Sequence, residues 1–202
     1  MNELINIEKT MKNLNSRGFD ASYFSTGKEA VDYIASQLNG ETIGFGGSKT
    51  VESLGLFETL GEDNTVYWHW KQEKDEALKN SADAEVYITS ANAIAQTGEI
   101  INIDGIGNRV ASTLYGKKKV YFLIGTNKIM DDFDKALWRA RNVASPLNAR
   151  RFKTNTPCAK GELKCHDCNS PDRICRSLVV LWEKMMRMEK VEVVIIDEEL
   201  GF

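Results

Sequence analysis

The amino-acid sequence predicts an α/β protein with a mostly parallel sheet flanked by helices. Short apolar runs alternate with amphipathic helical patterns as far as Ala144, which is typical of βαβ units. Several of these runs end in glycine or small polar residues, as strands do where they turn into helices. With 42% hydrophobic and 27% charged residues, the 202-residue chain can form an ordinary core. We therefore expect one domain over residues 1–202.

The individual elements follow from apolar periodicity and its interruptions. The first predicted helix covers residues 3–17 and ends at Gly18. Strands are then predicted at 21–24, 42–45, 66–68, 85–89 and 119–124, and helices at 28–38, from 51 onward, and at 73–80, 108–115 and 131–144. Residues 93–96 and 100–103 flank a Thr97-Gly98 turn and predict a hairpin.

The end of the chain differs from this pattern. Residues 150–176 lose all periodicity and contain every cysteine, so we expect an irregular metal-binding segment there. Two apolar runs follow, at 178–182 and 191–196, and they predict a C-terminal β-hairpin.

Charge and the N-terminus restrict the classes of function. Twenty-six Lys and Arg against 29 Asp and Glu give a net charge of −3. The sequence has no long basic run, which disfavours a nucleic-acid partner. Neither a signal peptide nor a run of eighteen apolar residues is visible, so we expect a cytoplasmic protein with no membrane span. In a reducing compartment, clustered cysteines favour metal ligation over disulfides.

The cysteines are spaced as Cys158-x6-Cys165-x2-Cys168-x6-Cys175. A CxxC pair with two outer cysteines can supply four thiolates to a zinc ion or to an iron–sulfur cluster. Structural zinc sites more often combine two CxxC pairs, so we predict an iron–sulfur cluster, [4Fe–4S], with zinc as the alternative. His166 is interpreted as a solvated or supporting residue rather than a ligand. A disulfide or unliganded thiols are the simpler alternatives.

A glycine-rich turn follows the strand at 42–45. Its candidate ligand residues are Gly46, Gly47, Ser48 and Lys49, because small residues at a strand-to-helix turn expose backbone N–H groups to an anion. The spacing matches neither a P-loop nor a dinucleotide fingerprint. A tight structural turn explains the glycines equally well.

Further polar residues follow later strands, where open α/β sheets commonly bind ligands. The candidates are Asn92, Asp104, Asn108, Arg109 and Asn127. Arg109 suits a carboxylate or phosphate, and Asp104 could instead cap the next helix. Glu99 is a candidate catalytic base or nucleophile, with an exposed turn glutamate as its alternative. His69, between two tryptophans, is assigned no role.

Several of these motifs together resemble the LUD (lactate utilization) domain family. The matching segments are Thr89-Ser-Ala-Asn92, residues 98–105, Gly107-Asn-Arg109, residues 119–125, Asn127-Lys128 and the cysteine motifs. The likeness is greatest to stand-alone members with a compact C-terminal cysteine segment. It implies a fold similar to the sugar-isomerase and CoA-transferase superfamily, with Gly46, Gly47 and Ser48 holding phosphate or CoA-like ligands. Some family members belong to lactate-oxidising operons that also encode iron–sulfur proteins.

Three functions are compatible with these features. The first is a metal-dependent redox accessory or subunit for a small organic acid such as lactate, working with a small anionic metabolite and with other iron–sulfur subunits. The second is an isomerase- or transferase-like enzyme for a phosphorylated or CoA-linked metabolite, with structural zinc and Glu99 as its catalytic carboxylate. The third is a non-catalytic metabolite sensor. The sequence does not decide whether the protein is an enzyme.

Overall fold

The computed structural model describes residues 5–202, so the first two positions of the helix predicted over 3–17 lie outside the described residues. The strands are β1 (Asp20–Phe24), β2 (Thr42–Phe45), β3 (Thr65–Tyr67), β4 (Val86–Thr89), β5 (Ala93–Ala95), β6 (Ile100–Asp104), β7 (Lys119–Gly125), β8 (Ile129–Met130), β9 (Ser177–Leu181) and β10 (Lys190–Ile196). The helices are α1 (Ile7–Ser16), α2 (Gly27–Gln37), α3 (Lys49–Ser53), α4 (Leu56–Leu60), α5 (Lys74–Asp83), α6 (Asn108–Leu114), α7 (Phe133–Arg139), α8 (Ser145–Arg151) and α9 (Pro157–Lys160). None of the helices within residues 5–202 combines the length and apolarity needed to cross a bilayer.

Six strands form the main sheet in the order β1-β10-β7-β4-β2-β3, and every neighbouring pair is parallel. The neighbouring interior strands β7 and β10 are buried along almost their whole length, which matches their continuous apolar sequence. The predicted α/β class with a mostly parallel sheet is therefore confirmed.

A smaller sheet has the order β8-β5-β6-β9. The predicted hairpin around Thr97-Gly98 is present, with β5 and β6 antiparallel. Both predicted C-terminal strands also exist, but β9 pairs with β6 in the small sheet and β10 pairs with β1 and β7 in the main sheet. They do not form a hairpin with each other, because each completes a different sheet.

Apolar side chains cover both faces of the main sheet. One cluster packs Ile34 of α2 and Val51 of α3 against β2, β4 and β7. On the other face, Leu14 of α1 packs with Phe122 and Ile195. A third, smaller cluster fixes Ala136 of α7 against the small sheet. The main sheet is therefore held by packed side chains on both faces, which fixes the positions of the loops at the carboxyl ends of its strands.

Helices α7 and α8 form one continuous helix through a π-helical stretch, Ala140–Ala144. Its last turn carries the hydrogen bond from the N–H of Ser145 to the carbonyl of Ala140. Pro146, which lacks an N–H, is accommodated at the start of α8. The helix thus continues beyond its predicted end at 144 and carries Arg151 to the edge of the sheet.

Candidate functional site

A cavity of about 530 Å³ lies at the carboxyl ends of the parallel strands. Its walls come from the turn after β2, the residues after β4, the end of β6 with the start of α6, helix α8, and part of the cysteine segment. This is where open parallel sheets commonly bind ligands. The fold therefore gathers residues that are far apart in sequence at one concave site.

Most of the predicted ligand residues line this cavity. Those that do are Gly47, Ser48, Lys49, Asn92, Asp104, Asn108 and Arg109. Gly46 and Asn127 do not line it. The Asn127 side chain instead accepts the backbone N–H of Leu200 at 3.2 Å and so holds the C-terminal residues against the sheet.

The glycine turn has little room for side chains. A Cβ on Gly47 would lie 3.0–3.1 Å from the indole ring of Trp70, and one on Gly46 would lie 2.7 Å from the Thr89 hydroxyl. Real Cβ atoms essentially never show a contact as short as 2.7 Å, and contacts of 3.0–3.1 Å are tighter than most. The two glycines thus permit close packing of the turn on its neighbours, which is one of the alternatives that the sequence left open.

The polar residues of this turn are engaged within the protein. Ser48 accepts the N–H of Val51 at 3.3 Å and caps the short helix α3. Lys49 forms an ion pair with Glu52 on the same helix. Both residues line the cavity, but the Ser48 hydroxyl is used in a helix cap and the charge of Lys49 is paired with Glu52.

Arg109 is a largely buried side chain that joins the strand ends by hydrogen bonds. Burial lowers the pKa of its guanidinium, and Asp104 lies 3.6 Å from its Nε. Its terminal nitrogens donate to the Ser90 carbonyl (3.1 Å), the Asn102 side chain, the Asn92 side chain (3.2 Å) and the Ile103 carbonyl (2.6 Å). The structure uses these donors to join loops, which leaves few of them for a ligand.

Asp104 accepts backbone N–H groups as well. Its carboxylate bonds to Ile106 at 3.1 Å, to Gly107 at 3.0 Å and to Val110 at 3.3 Å. These contacts organise the start of α6, in agreement with the capping alternative.

Lys128 is a cavity residue that the site prediction omitted. Its side chain lies on the short turn after β7, is 3% exposed, and donates to Thr50 Oγ1 at 2.7 Å and Ser90 Oγ at 3.1 Å. Burial, and then the positive charges of Arg139 and Arg109, lower the pKa of Lys128 to about 7. Its only sequence signal was the Asn127-Lys128 pair at the end of a buried strand.

Arg151 is a second omitted cation, at the end of α8. Its guanidinium lies 5.0 Å from the ring centroid of Trp70 and 4.0 Å from that of Phe152. Nε donates to Asn148 at 3.0 Å, and within residues 5–202 the two terminal nitrogens have no hydrogen-bond partner. Arg151 therefore presents unused donors to the cavity. His69, to which the sequence assigned no role, lines the same cavity.

All four cysteines line a second, much smaller cavity. They are free thiols and half-buried. Cys165 accepts from the N–H of Asp167 at 3.4 Å and lies 3.8 Å from a terminal nitrogen of Arg141. The neighbouring Cys175 side chain raises the pKa of Arg173. Arginines thus lie beside Cys165 and Cys175, although within residues 5–202 no three His, Cys, Asp or Glu side chains are arranged to hold a single metal ion.

The two cavities share a wall. Arg173, Ile174 and Cys175 line both of them, and so does Ser145 at the start of α8. The cysteine segment is held here by the N–H of Arg176, which donates to the carbonyl of the last residue of β6 at 2.8 Å. One cysteine therefore faces the predicted ligand site as well as the other cysteines.

Glu99, the predicted catalytic carboxylate, does not line either cavity. It lies in the hairpin turn, where Arg17 forms an ion pair with it at 2.7 Å and Thr97 donates a hydrogen bond. Its side chain is 12% exposed. Its position therefore matches neither a catalytic role in the cavity nor an exposed turn residue; it is part of a partly buried structural contact.

Comparison with known proteins agrees with the motifs that surround this site. The family model described as the LUD domain matches residues 7–196. The chain belongs to the LUD domain family. This family is associated with lactate utilization, and in this chain the segment that contains residues 158–175 holds all four cysteines.

Solved structures support the fold of this LUD protein. A DUF162 family protein from Deinococcus radiodurans, whose family is the LUD domain family, superposes with a TM-score of 0.55 over 94% of each chain. The two sequences are 14% identical, so the likeness concerns the fold alone. No curated protein shows significant sequence similarity to the chain.

Proposed function

We propose that this LUD protein is an iron–sulfur redox accessory or subunit in small organic acid metabolism. Cys158, Cys165, Cys168 and Cys175 would hold the cluster, of the [4Fe–4S] type, and the 530 Å³ cavity would bind a small anionic metabolite beside it. The observation that carries the proposal is the shared wall, because Cys175 belongs to both cavities. Other iron–sulfur subunits are the proposed partners for electron exchange.

The spacing of the cysteines favours a cluster over a single zinc ion, because it has one CxxC pair where structural zinc sites more often combine two. Tetrahedral zinc needs all of its sulfur ligands about 2.3 Å from a single point. Each thiolate of a cluster binds a different iron atom, so the sulfurs stand further apart around a common space. All four cysteines line one cavity, as either kind of site requires.

The surroundings of the cysteines also suit a negatively charged cluster. Arg141 and the N–H of Asp167 approach Cys165, and Thr156 lies 3.4 Å from the Cys158 sulfur. Donors to cluster sulfurs stabilise the more reduced, more negative state. The half-buried cysteines lie near the surface, where a partner could exchange electrons with the cluster.

The larger cavity suits a small anion. Arg151 brings unused donors, and Lys128 brings a buried amine that pairs with no carboxylate within residues 5–202. When bound, the cluster would supply one-electron transfer, while these side chains hold and orient the metabolite next to Cys175. The alternative enzyme with a catalytic Glu99 gains no support, because that carboxylate lies outside the cavity.

Metal analysis of anaerobically purified protein tests this proposal. We expect about four iron and four sulfide per chain and a visible absorption band that dithionite bleaches. Cys168→Ala should lose most of this iron, because it removes one of the four thiolates.

His166→Ala is the matched control, since His166 adjoins Cys165 and lines the same cavity, while within residues 5–202 its side chain hydrogen-bonds to the Glu162 carbonyl, at 3.3 Å, and to none of the cysteines. This variant should keep its iron and its absorption. A colourless protein with about one zinc per chain, or with no metal at all, would overturn the proposal.

A further inference from the structure

Lys128 has an environment that neither a structural role nor simple ion pairing explains. Its amine is buried, yet it borders an open cavity. Its two hydrogen-bond partners, Thr50 and Ser90, are neutral hydroxyl groups. Buried lysines normally meet a carboxylate, since an unpaired ammonium is costly to remove from water. No carboxylate within residues 5–202 forms an ion pair with this one.

The elements packed around Lys128 disfavour its charged form. Thr50 comes from α3 and Ser90 from the end of β4, and the charged side chains that act on the amine are Arg139 of α7 and Arg109 of α6, both positive. Desolvation acts in the same direction and is the larger cause. A substantial fraction of the amine is therefore neutral at neutral pH, and a neutral amine is a nucleophile.

Lys117 provides a comparison within the same chain. It is 5% exposed and its pKa is lowered to about 8, so it is also a buried lysine. Its Nζ, however, donates to the carbonyls of Ser81 and Ala84, each at 2.8 Å, and it does not line the cavity. Lys117 caps the end of α5. Of the two buried lysines within residues 5–202, Lys128 is the one that combines a buried amine, neutral partners and a place in the cavity wall.

We propose that Lys128 forms a Schiff base with a small 2-oxo acid bound in the cavity. The inference rests on the proposed function in one respect, namely that the cavity accepts a small anion. A 2-oxo acid fits because its carboxylate matches the unused donors of Arg151 and its carbonyl carbon is the electrophile that a neutral amine attacks.

The covalent step balances without any co-reactant. The Nζ lone pair attacks the carbonyl carbon to give a carbinolamine, and the C–O bond then breaks as the C=N bond forms. Both amine hydrogens leave with the oxygen as water. The hydroxyls of Thr50 and Ser90, at 2.7 Å and 3.1 Å from Nζ, are placed to pass these protons to the departing oxygen.

Reductive trapping tests this proposal directly. Purified full-length protein is incubated with pyruvate and cyanoborohydride, digested, and mapped by mass spectrometry. We expect the reduced adduct mainly on the peptide that contains Lys128, with Lys117 unlabelled as an internal control for burial. Lys128→Arg keeps a cation but removes the nucleophile, and should lose this adduct.

The peptide map of the unaltered protein remains decisive even if Lys128→Arg fails to fold. Label confined to exposed lysines, with none on Lys128, would overturn the Schiff base. The result is independent of the cluster: an adduct on iron-free protein would retain this inference while the proposed redox function fails. A fully loaded cluster without any Lys128 adduct would retain the proposed redox function and overturn the Schiff base.

Discussion

At the scale of single residues, the buried ammonium group of Lys128 is expected to lower the free energy of unfolding of the protein. Its ammonium form is buried among hydroxyls and near two arginines, where nothing negative within residues 5–202 offsets the cost. Residues retained at such a cost commonly serve a function, and replacing them often stabilises the protein. The change in the free energy of unfolding when Lys128 is replaced therefore indicates whether the Lys128 amine is charged in the folded protein.

Replacing Lys128 by Met should stabilise the protein, and more at low pH than at high pH. The folded-state pKa of about 7 lies below the unfolded value of about 10.4, so between these values the unfolded chain binds the extra proton and wild-type stability rises with pH. The cost that Met removes is thus greatest below about pH 7. The gain should be about 2–3 kcal/mol larger near pH 6 than near pH 9.

Thermal or urea denaturation at the two pH values measures this difference. Lys12→Met, on the exposed side of α1, is the control and should change stability equally at both. If the gain from Lys128→Met were the same near pH 6 and near pH 9, the amine would not be deprotonating in the folded protein in this range.

At the scale of elements, local patterns predicted most strands and helices, and pairing in space decided the rest. The apolar run 191–196 was recognised as a strand, but a hairpin with its sequence neighbour was expected. Instead β10 lies between the edge strand β1 and β7 in the main sheet. Such long-range pairing depends on the whole sheet, and no local signal encodes it. Similarly, Pro146 resembles a helix end, yet a π-helical stretch carries α7 into α8.

The contact between Arg17 and Glu99 joins two elements and accounts for the predicted catalytic carboxylate. Arg17, at the end of α1, pairs with Glu99 and also donates to the carbonyls of Thr97 (2.8 Å) and Trp182 (3.0 Å). Glu99→Gln removes the charge and should lower stability by about 1 kcal/mol, because the pair is only partly buried.

The same variant should retain the iron content of the unaltered protein and its affinity for pyruvate, since Glu99 lines neither cavity. Denaturation, metal analysis and calorimetry measure these quantities. If the variant lost pyruvate binding while its stability was unchanged, Glu99 would have to be counted among the residues of the functional site.

At the scale of the whole molecule, the sequence located the site better than it identified the groups that act there. Arg109 was predicted as an anion ligand, but its donors are used to tie strand ends together. Lys128 and Arg151 were missed because their importance depends on burial and on unused donors, which only the packed structure reveals. The sequence also did not predict that the cysteines adjoin the cavity, because residues 150–176 show no periodicity from which their position in the fold could be inferred.

The proposed function requires that the cysteine centre and the anion cavity are neighbours that share Cys175. The most direct test is the electron paramagnetic resonance spectrum of the reduced, iron-loaded protein during titration with pyruvate, with neutral pyruvamide as the control ligand. We expect a saturable change of the cluster signal with pyruvate and a weaker one with pyruvamide, which lacks the carboxylate that Arg151 would hold. A cluster spectrum that stays unchanged while calorimetry shows pyruvate bound would contradict this account.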